Sequence, residues 1–497
     1  MINIMWFRSD LRVYDNPALS AAMERGQTIA LYFVCRAQWA KHGVGENKQA
    51  FILSQLSMLK AELDRLNVPL VVCDAGTFEH IAETAVSWSE EISRIMKAPV
   101  AQWWFNAEYE VNEQQLTERV KSVLLSAGIG VQISQDQCLI EPGRVLNGQG
   151  GPFKVFSAFK RKVISEYMDE VRPLAPPPQP QSSLAETAAL TTLTMPGWEP
   201  KARRLAELWR AGEDEAHDRL NRFTETAVRK YAEERDLPAR EGTSTLSPYL
   251  AIGALSVRQC WQAVMQVNGG LAAEGHPGVV TWMNELLWRE FYRHLLFFYP
   301  KLCKGKAFKP ETEALPWRQG GVKFDAWKAG RTGFPIVDAG MRQLMETGWM
   351  HNRLRMIVAM FLTKDLFVDW RLGEAYFMEH LIDGDFASNN GGWQWSASTG
   401  VDAVPYFRIF NPARQSERFD PSGEFIRRYV PELRAVSGKA IHNPSSAVRT
   451  KCGYPEPIVD HAAASALTKG WFSGLNQPFA GAEQGAPEKD AFFRRWA

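Results

Sequence analysis

Long apolar runs are missing from the sequence: none approaches the roughly 20 residues of a membrane-crossing helix. Arg8, Asp10 and Arg12 interrupt any would-be secretory leader, so none is expected. Paired cysteines are missing too. Cys35, Cys73, Cys138, Cys260, Cys303 and Cys452 lie far apart with no C-x-x-C motif, which argues for reduced, cytosolic thiols. Neither sign of charge prevails, with 57 Lys and Arg against 56 Asp and Glu. Any grip on a polyanion must then come from a local basic cluster, not from the field of the whole molecule. No internal repeat is found, and no G-x-G-x-x-G follows the first strand-like segment, so a dinucleotide site there has no support.

What is present is an ordinary soluble composition, 45% apolar and 23% charged, in a chain of 497 residues. That length exceeds one core and predicts two or three domains. From Met1 to about Val171, INIMWF, TIALYFV, VPLVVC, PVAQWWF and IGVQI read as strands. NKQAFILSQLSMLKAELDRL and NEQQLTERVKSVLLSAG read as amphipathic helices between them. This alternation predicts an α/β domain, a parallel sheet with helices on both faces. Ligands of such sheets sit beyond the carboxyl ends of strands. Two loops there carry polar candidates: RAQWAKHG with His42, and NAEYEVNE with Asn112 and Glu113. Read alone, these are either solvated loop groups or a ligand site.

Residues 172–200 form the clearest linker, a proline run followed by small polar residues that predicts an extended segment without a core. Beyond it, apolar residues recur at three- and four-residue spacing through Ala202–Leu208, Ala216–Tyr231, Val257–Val267, Val279–Phe298 and Met341–Asp369. Residues 201–497 are therefore expected to be an all-helical domain.

The chemistry concentrates in LIDGDFASNNGGWQWSASTGVDAVPYFRIFNP, Leu381 to Pro412. Asp383 and Asp385 can accept hydrogen bonds from a ribose or a heterocycle N–H, and Asn389 and Asn390 both donate and accept. Gly391 and Gly392 permit close backbone approach, and Trp393 and Trp395 offer stacking surface or electrons. The stretch lacks the period of a surface helix. It fits either a polar cradle for a flat, redox-active aromatic cofactor or an ordered interdomain loop with incidental tryptophans.

Four further groups stand out. Gly242-Thr243-Ser244-Thr245-Leu246-Ser247-Pro248 looks like a helix N-cap, whose free N–H groups also suit phosphate. In TWMNELLWREFYRHLL, Trp282, Glu285, Trp288 or Arg289, and Tyr292 share one helical stripe, as a site or as a satisfied core. Asn352 and Met356 share a face in WMHNRLRM. Trp317 and Trp370 are isolated tryptophans whose default role is core packing. Arg235, Arg353 and Arg408 are either solvated charges or phosphate contacts.

From MWFRSDLRVYDNPAL to the block around Phe425, and most densely between Trp282 and Pro412, the chain resembles the DNA photolyase/cryptochrome family. Within it, the likeness is to class I cyclobutane pyrimidine dimer photolyases of the folate-antenna type. The resemblance implies an antenna-binding domain over 1–171 and a helical FAD- and lesion-binding domain over 201–497. It implies FAD contacts from Tyr231, Thr243, Ser244, Thr245, Leu246, Ser247, Trp282, Arg289, Arg355, Asp383, Asp385 and Asn389. Where Thr245 stands, some relatives carry a basic residue, so a weaker charge contact to the flavin diphosphate is expected.

By the same resemblance, Glu285 bonds the dimer carbonyl, Trp288 stacks on the dimer, and Asn352 and Met356 complete the lesion pocket. Enzymes acting on the six-four photoproduct carry histidines at the last two positions. Asn389 faces the flavin, where plant cryptochromes usually have Asp and animal ones Cys. Trp393, Trp370 and Trp317 relay electrons to the flavin. Arg235, Arg353, Trp395 and Arg408 join Glu285 and Trp288 in holding DNA. His42, Asn112, Glu113, Cys303 and Lys304 match a methenyltetrahydrofolate pocket. The implied activity is light-driven splitting of cyclobutane pyrimidine dimers by electron transfer from excited, reduced FAD, in a cytoplasmic monomer working at nucleoid DNA if the source is bacterial. The competing reading is a cryptochrome-type photoreceptor, whose members often carry long C-terminal extensions; little chain follows Asp460 here.

Overall fold

The computed structural model describes residues 1–198 and 205–475. The chain forms two compact units, Met1–Arg229 with Ser244–Pro300, and Lys230–Thr243 with Lys301–Ala497.

The first unit contains one sheet of five parallel strands, β1 (Ile2–Phe7), β2 (Gln27–Val34), β3 (Leu70–Asp74), β4 (Val100–Asn106) and β5 (Gly130–Ser134). All five expected segments are strands. Their apolar runs are continuous rather than alternating because a parallel sheet is covered on both faces; every residue of β1 is buried. The order is β3-β2-β1-β4-β5, so the chain builds outward from β1 in one direction and then returns to its other side. The resulting switch point lies at the carboxyl end of β1, between the ends of β2 and β4. Helices Glu46–Arg65 and Val111–Ser126 fall on the two predicted helical segments, and a further crossover helix, Phe78–Met96, joins β3 to β4.

Helices Val257–Val267 and Pro277–Phe298 are joined to the sheet's loops through buried charge. Arg258 Nη2 lies 2.7 Å from Asp136 Oδ1 and 2.9 Å from Asp15 Oδ2, and Arg12 also pairs with Asp136. Burial would raise the Asp136 carboxyl, but the Arg12 and Arg258 guanidiniums hold it down at about 2. Glu290 accepts hydrogen bonds from the backbone N–H groups of Leu139 (3.0 Å) and Ile140 (2.8 Å).

The proline-rich segment departs from the expected coreless linker. Leu184 and Leu190 are buried in the core around the sheet, and Thr187–Thr191 is a short helix. The Gln181 side-chain amide mimics a peptide group: its oxygen accepts from Thr28 N (2.8 Å) and its nitrogen donates to Thr28 O (3.0 Å). Met195 N then donates to Val72 O (2.8 Å). Composition does not reveal the two leucines and the glutamine that fasten the strap. Its last residues, 199–200, and the first three of the Ala202–Leu208 expectation lie outside the described residues; residues 205–208 are turn, not helix.

The second unit is helical among its described residues, apart from one bridge between Arg318 and Val368. The expected run Met341–Asp369 is broken twice. Gly348 ends helix Pro335–Thr347 in the left-handed region (φ 65°), and helix Asn352–Met360 passes into a π turn, Phe361–Asp365. Helices Trp370–His380, Phe386–Ala397 and His461–Gly474 lie beyond it in the chain. No helix among the described residues is long and apolar enough to cross a membrane.

Candidate functional site

The middle of the cradle stretch, Phe386–Ala397, folds into a helix. Asp385 is its N-cap, accepting from Ser388 N (3.1 Å) and from the Ser388 hydroxyl (2.6 Å). Gly391 and Gly392 therefore lie within helix Phe386–Ala397, where they thin its outer surface rather than free a loop. The Asn pair meets helix Trp370–His380: Asn389 Nδ2 donates to Glu374 O (3.0 Å) and Asn390 Nδ2 to Glu374 Oε1 (2.7 Å). Gln394 Nε2 donates to Asn390 Oδ1 (2.9 Å), closing the network. Burial pushes the Glu374 carboxyl up to about 7, against the pull of the Asn390 hydrogen bond and the Arg371 charge. Sequence reading passed over Glu374, because nothing in RLGEAYFMEH sets it apart from an ordinary helical glutamate.

Asp383 is buried, and Arg355 Nη2 donates to its Oδ2 (2.7 Å) while Arg355 Nε holds Met350 O (2.8 Å). Asp383 Oδ1 is buried with no hydrogen-bond partner among the described residues. An orphaned carboxylate oxygen is costly, and a heterocycle N–H such as that of a flavin satisfies it. The donor set of this unit thus fits FAD. Tyr231 is buried in the same unit, with the Arg235 guanidinium 5.4 Å above its ring.

Helix Asn352–Met360 puts Asn352 and Met356 on one face, with Asn352 Nδ2 4.0 Å from Met356 Sδ. His351 is the N-cap, accepting from Arg353 N (3.1 Å); burial lowers its imidazole to about 4, so it is neutral. Arg353 Nη2 pairs with Asp236 Oδ1 at 2.8 Å, and Arg235 stands 3.9 Å from the same oxygen. Arg408 is exposed in a turn, and Trp395 is half-buried on helix Phe386–Ala397. Trp370 and Trp393 belong to one buried apolar cluster, and Trp317 packs against it half-exposed. The structure therefore gathers the three separate tryptophans.

In the first unit, helix Pro277–Phe298 carries the expected stripe. Trp282 is buried against Phe223 (5.1 Å between ring centres). Glu285 and Trp288 are half-buried, and Phe156 stacks on Trp288 at 3.8 Å and 11°. Arg289 Nη1 donates to Gln137 O (2.6 Å). The hydroxyl cluster before Pro248 does not cap. Helix Ser247–Ile252 has Leu246 at its N-cap position, with no side-chain cap bond, because Thr245 turns the chain through the left-handed region (φ 51°). A cation does stand beside Thr245, whose Oγ1 accepts from Arg219 Nη1 (3.3 Å).

At the switch point, His42 follows β2 and Asn112 and Glu113 open the helix after β4. Gln38 Nε2 (2.8 Å) and Asn112 Nδ2 (2.9 Å) converge on His42 Nε2, making it the acceptor nitrogen. The proton then sits on Nδ1, 3.4 Å from Glu113 Oε1. Burial lowers His42 to about 4 and raises Glu113 to about 8, helped there by Glu110 and Glu108. Both are uncharged near neutrality, so the contact is not an ion pair. Phe78 packs edge-on against the imidazole at 5.6 Å. Cys303 and Lys304 lie in a 3-10 turn, Pro300–Lys304, in the second unit.

Residues 3–181 match the family described as DNA photolyase, and 282–473 the family described as the FAD binding domain of DNA photolyase. The deoxyribodipyrimidine photo-lyases of Salmonella typhimurium, Vibrio cholerae and Escherichia coli are 43%, 44% and 42% identical to the chain. Each match covers 94% of this chain and 97%, 98% and 97% of the relative. A class III photolyase from Agrobacterium tumefaciens gives a TM-score of 0.81 at 35% identity over 95% of this chain and 97% of its own. A Synechocystis cryptochrome gives 0.80 at 27% identity over 95% and 99%. Two family matches in succession, and relatives above 40% identity along nearly the whole chain, lead to one conclusion: the chain belongs to the DNA photolyase family and carries its FAD-binding domain.

Proposed function

We propose that this protein is a deoxyribodipyrimidine photo-lyase, which uses light to split cyclobutane pyrimidine dimers in DNA. The observation that carries the reading is the name shared by relatives 42–44% identical over 94% of the chain. Bound FAD, when reduced and excited by light, supplies the electron that opens the dimer and takes it back afterwards. The protein's part is placement. Arg355 orients Asp383, whose free oxygen would hold a heterocycle N–H, and the Glu374 carbonyl fixes the Asn389 amide.

The dimer has to leave the base stack, at a cost lowered by its weakened pairing. Trp288, with Phe156 on one side, has one π face to offer it. Glu285 bonds the carbonyl on which charge develops. Asn352 and Met356 pack the lesion without a proton-transferring histidine, which favours the cyclobutane dimer over the six-four product. Arg235, Arg353 and Arg408 take the flanking phosphates, and Trp395 adds an apolar contact. The protein acts as a monomer in the cytoplasm, at the nucleoid if its source is bacterial.

The test is repair of thymine-dimer and six-four oligonucleotides by photoreduced protein under near-ultraviolet light. Repair of the first alone supports the proposal; repair of six-four lesions, or of neither, overturns it.

For the antenna we propose methenyltetrahydrofolate, held by His42, Asn112 and Glu113. The neutral His42–Glu113 pair and two amides offer donors and acceptors suited to a pterin. Reconstitution with the folate should add a near-ultraviolet band that Glu113→Ala removes while FAD stays bound. A Sulfolobus tokodaii photolyase is described with two FAD molecules, so preferential uptake of a second flavin is the contrary outcome.

A further inference from the structure

Arg219 is built like a binding residue rather than a solvated charge. It stands on helix Glu213–Arg222, its side chain mostly buried. The guanidinium carbon lies 5.3 Å from the ring centre of Trp209 and 5.4 Å from that of Tyr249. Both rings are buried, so they hold the guanidinium in place through cation–π contact. Two of its nitrogens are tied: Nε donates to Glu215 Oε1 (2.7 Å) and Nη2 to Leu208 O (2.9 Å). Among the described residues, Nη1 reaches only the Thr245 hydroxyl, at 3.3 Å, longer than the usual range for such a bond. Nη1 carries two N–H groups, so one of them has no partner there.

Thr245 is marked from the other side. A β-branched residue at φ 51° is a conformational outlier, and strain of that kind persists where the surroundings overdetermine it and is a pointer to function. The residue is half-buried, and its oxygen accepts from Arg219. Its own O–H then remains to be given, and among the described residues it donates to nothing. Arg219 and Thr245 thus present guanidinium and hydroxyl protons side by side with no acceptor between them. Glu215 offsets the charge at a distance, so what the pair offers is short-range and directed. Its natural complement is an anion with several oxygens, which a guanidinium fork fits better than a single ammonium does.

We infer that Arg219 holds the diphosphate of FAD together with Thr245, each donating to a phosphate oxygen, and that Glu215 is the positioning residue that turns the fork. The inference rests on the expectation that Thr243 to Ser247 lie against that diphosphate, and it adds a cation from a different helix. Arg219 acts in retaining the cofactor, not in splitting the dimer.

The test uses the full-length protein, stripped of flavin and titrated with FAD, then loaded with FAD for phosphorus-31 nuclear magnetic resonance. Arg219→Gln should weaken FAD binding roughly ten- to a hundredfold, as the loss of a charge-assisted contact does. It should move the phosphate resonances of bound FAD and leave the flavin absorption band in place, because the ring contact proposed for Asp383 is untouched. Thr245→Arg in the Arg219→Gln chain should recover most of the affinity by returning a guanidinium to the same place, which a purely structural arginine would not allow. Unaltered affinity or unmoved phosphate resonances in Arg219→Gln overturn the inference, and so does a loss that Thr245→Arg fails to recover. Should Arg219→Gln not fold, Arg219→Lys keeps the charge between the rings and decides by the same resonances: moved, they support the inference; unmoved, they overturn it. Thr245→Val and Ser247→Ala separate the two layers. If neither moves the phosphate resonances, the reading of Thr243 to Ser247 is itself wrong; if they do and Arg219→Gln does not, only the assignment of Arg219 fails.

Discussion

The six-membered ring of Trp393 lies directly against the α-carbon of Gly373. A methyl group on that glycine would stand 2.1 Å from Trp393 Cη2, 2.3 Å from Cζ3 and 2.7 Å from Leu362 Cδ2. The absence of a side chain is what lets helix Phe386–Ala397 bring its indole onto helix Trp370–His380. Gly373→Ala should therefore cost about 1–3 kcal/mol of stability through overpacking. It should also slow photoreduction of oxidised FAD, since Trp393 must move. A thermal melt and a flash measurement check both; an unchanged pair of values would show that the ring relocates freely.

Asp383→Asn tests the cradle. The Arg355 contact loses its charge, and the carboxylate whose second oxygen is buried without a partner becomes a neutral amide. Charge-assisted hydrogen bonds contribute about 1.5–3 kcal/mol each, so FAD should bind roughly ten- to a hundredfold more weakly. Flavin retention through gel filtration and titration calorimetry measure the loss, with circular dichroism confirming that the helices persist.

Glu113 makes stability depend on pH in a definite direction. Its carboxyl is raised to about 8 from an ordinary value of 4.5, so between those two values the folded protein holds a proton that the unfolded chain has released. Its contribution is fully present below pH 4.5 and is lost as pH rises through about 8. Glu113→Gln keeps the neutral hydrogen bonding and removes that loss. In protein without an antenna, the variant should match the unaltered chain in acid and be the more stable of the two in mild alkali. Denaturant melts across the range give the comparison, and parallel curves would refute the raised carboxyl.

Repair and photoreduction should come apart in two variants. Trp317→Phe keeps an aromatic ring but loses the donor, so it should photoreduce poorly and yet repair dimers once its flavin is chemically reduced. Glu285→Ala should photoreduce normally and repair less well. Removing one hydrogen-bond donor to developing charge typically costs about 2.7–4 kcal/mol, and the loss here should be smaller because ring splitting proceeds partly without it. If Trp317→Phe abolishes repair by the chemically reduced protein, or Glu285→Ala leaves repair intact, the division of roles is wrong.

Local pattern was enough for the elements whose physics is local. Continuous apolar runs became the five strands of a covered parallel sheet, and three- and four-residue spacing became helices such as Val257–Val267 and Pro277–Phe298. Long agreement with a known family was enough to point to FAD. Helix Phe386–Ala397 escaped pattern reading because its apolar and polar residues are not segregated to two faces; its Asp385 cap and its packing on Trp370–His380 make it helical.

Other features depend on residues distant in sequence meeting in space. His42 and Asn112 are 70 residues apart, and only the strand order β3-β2-β1-β4-β5 brings their loops together and makes the pair with Glu113 neutral. Glu374 takes its character from burial beside Asn390, and Phe367 from being wedged between Trp317 and Trp471. The proline-rich strap is held by Gln181 on Thr28, a match no composition reveals. The sequence by itself determined which groups are present and which elements carry them. Their charge state, their neighbours and their strain come from desolvation and contact, which exist only once the chain has folded.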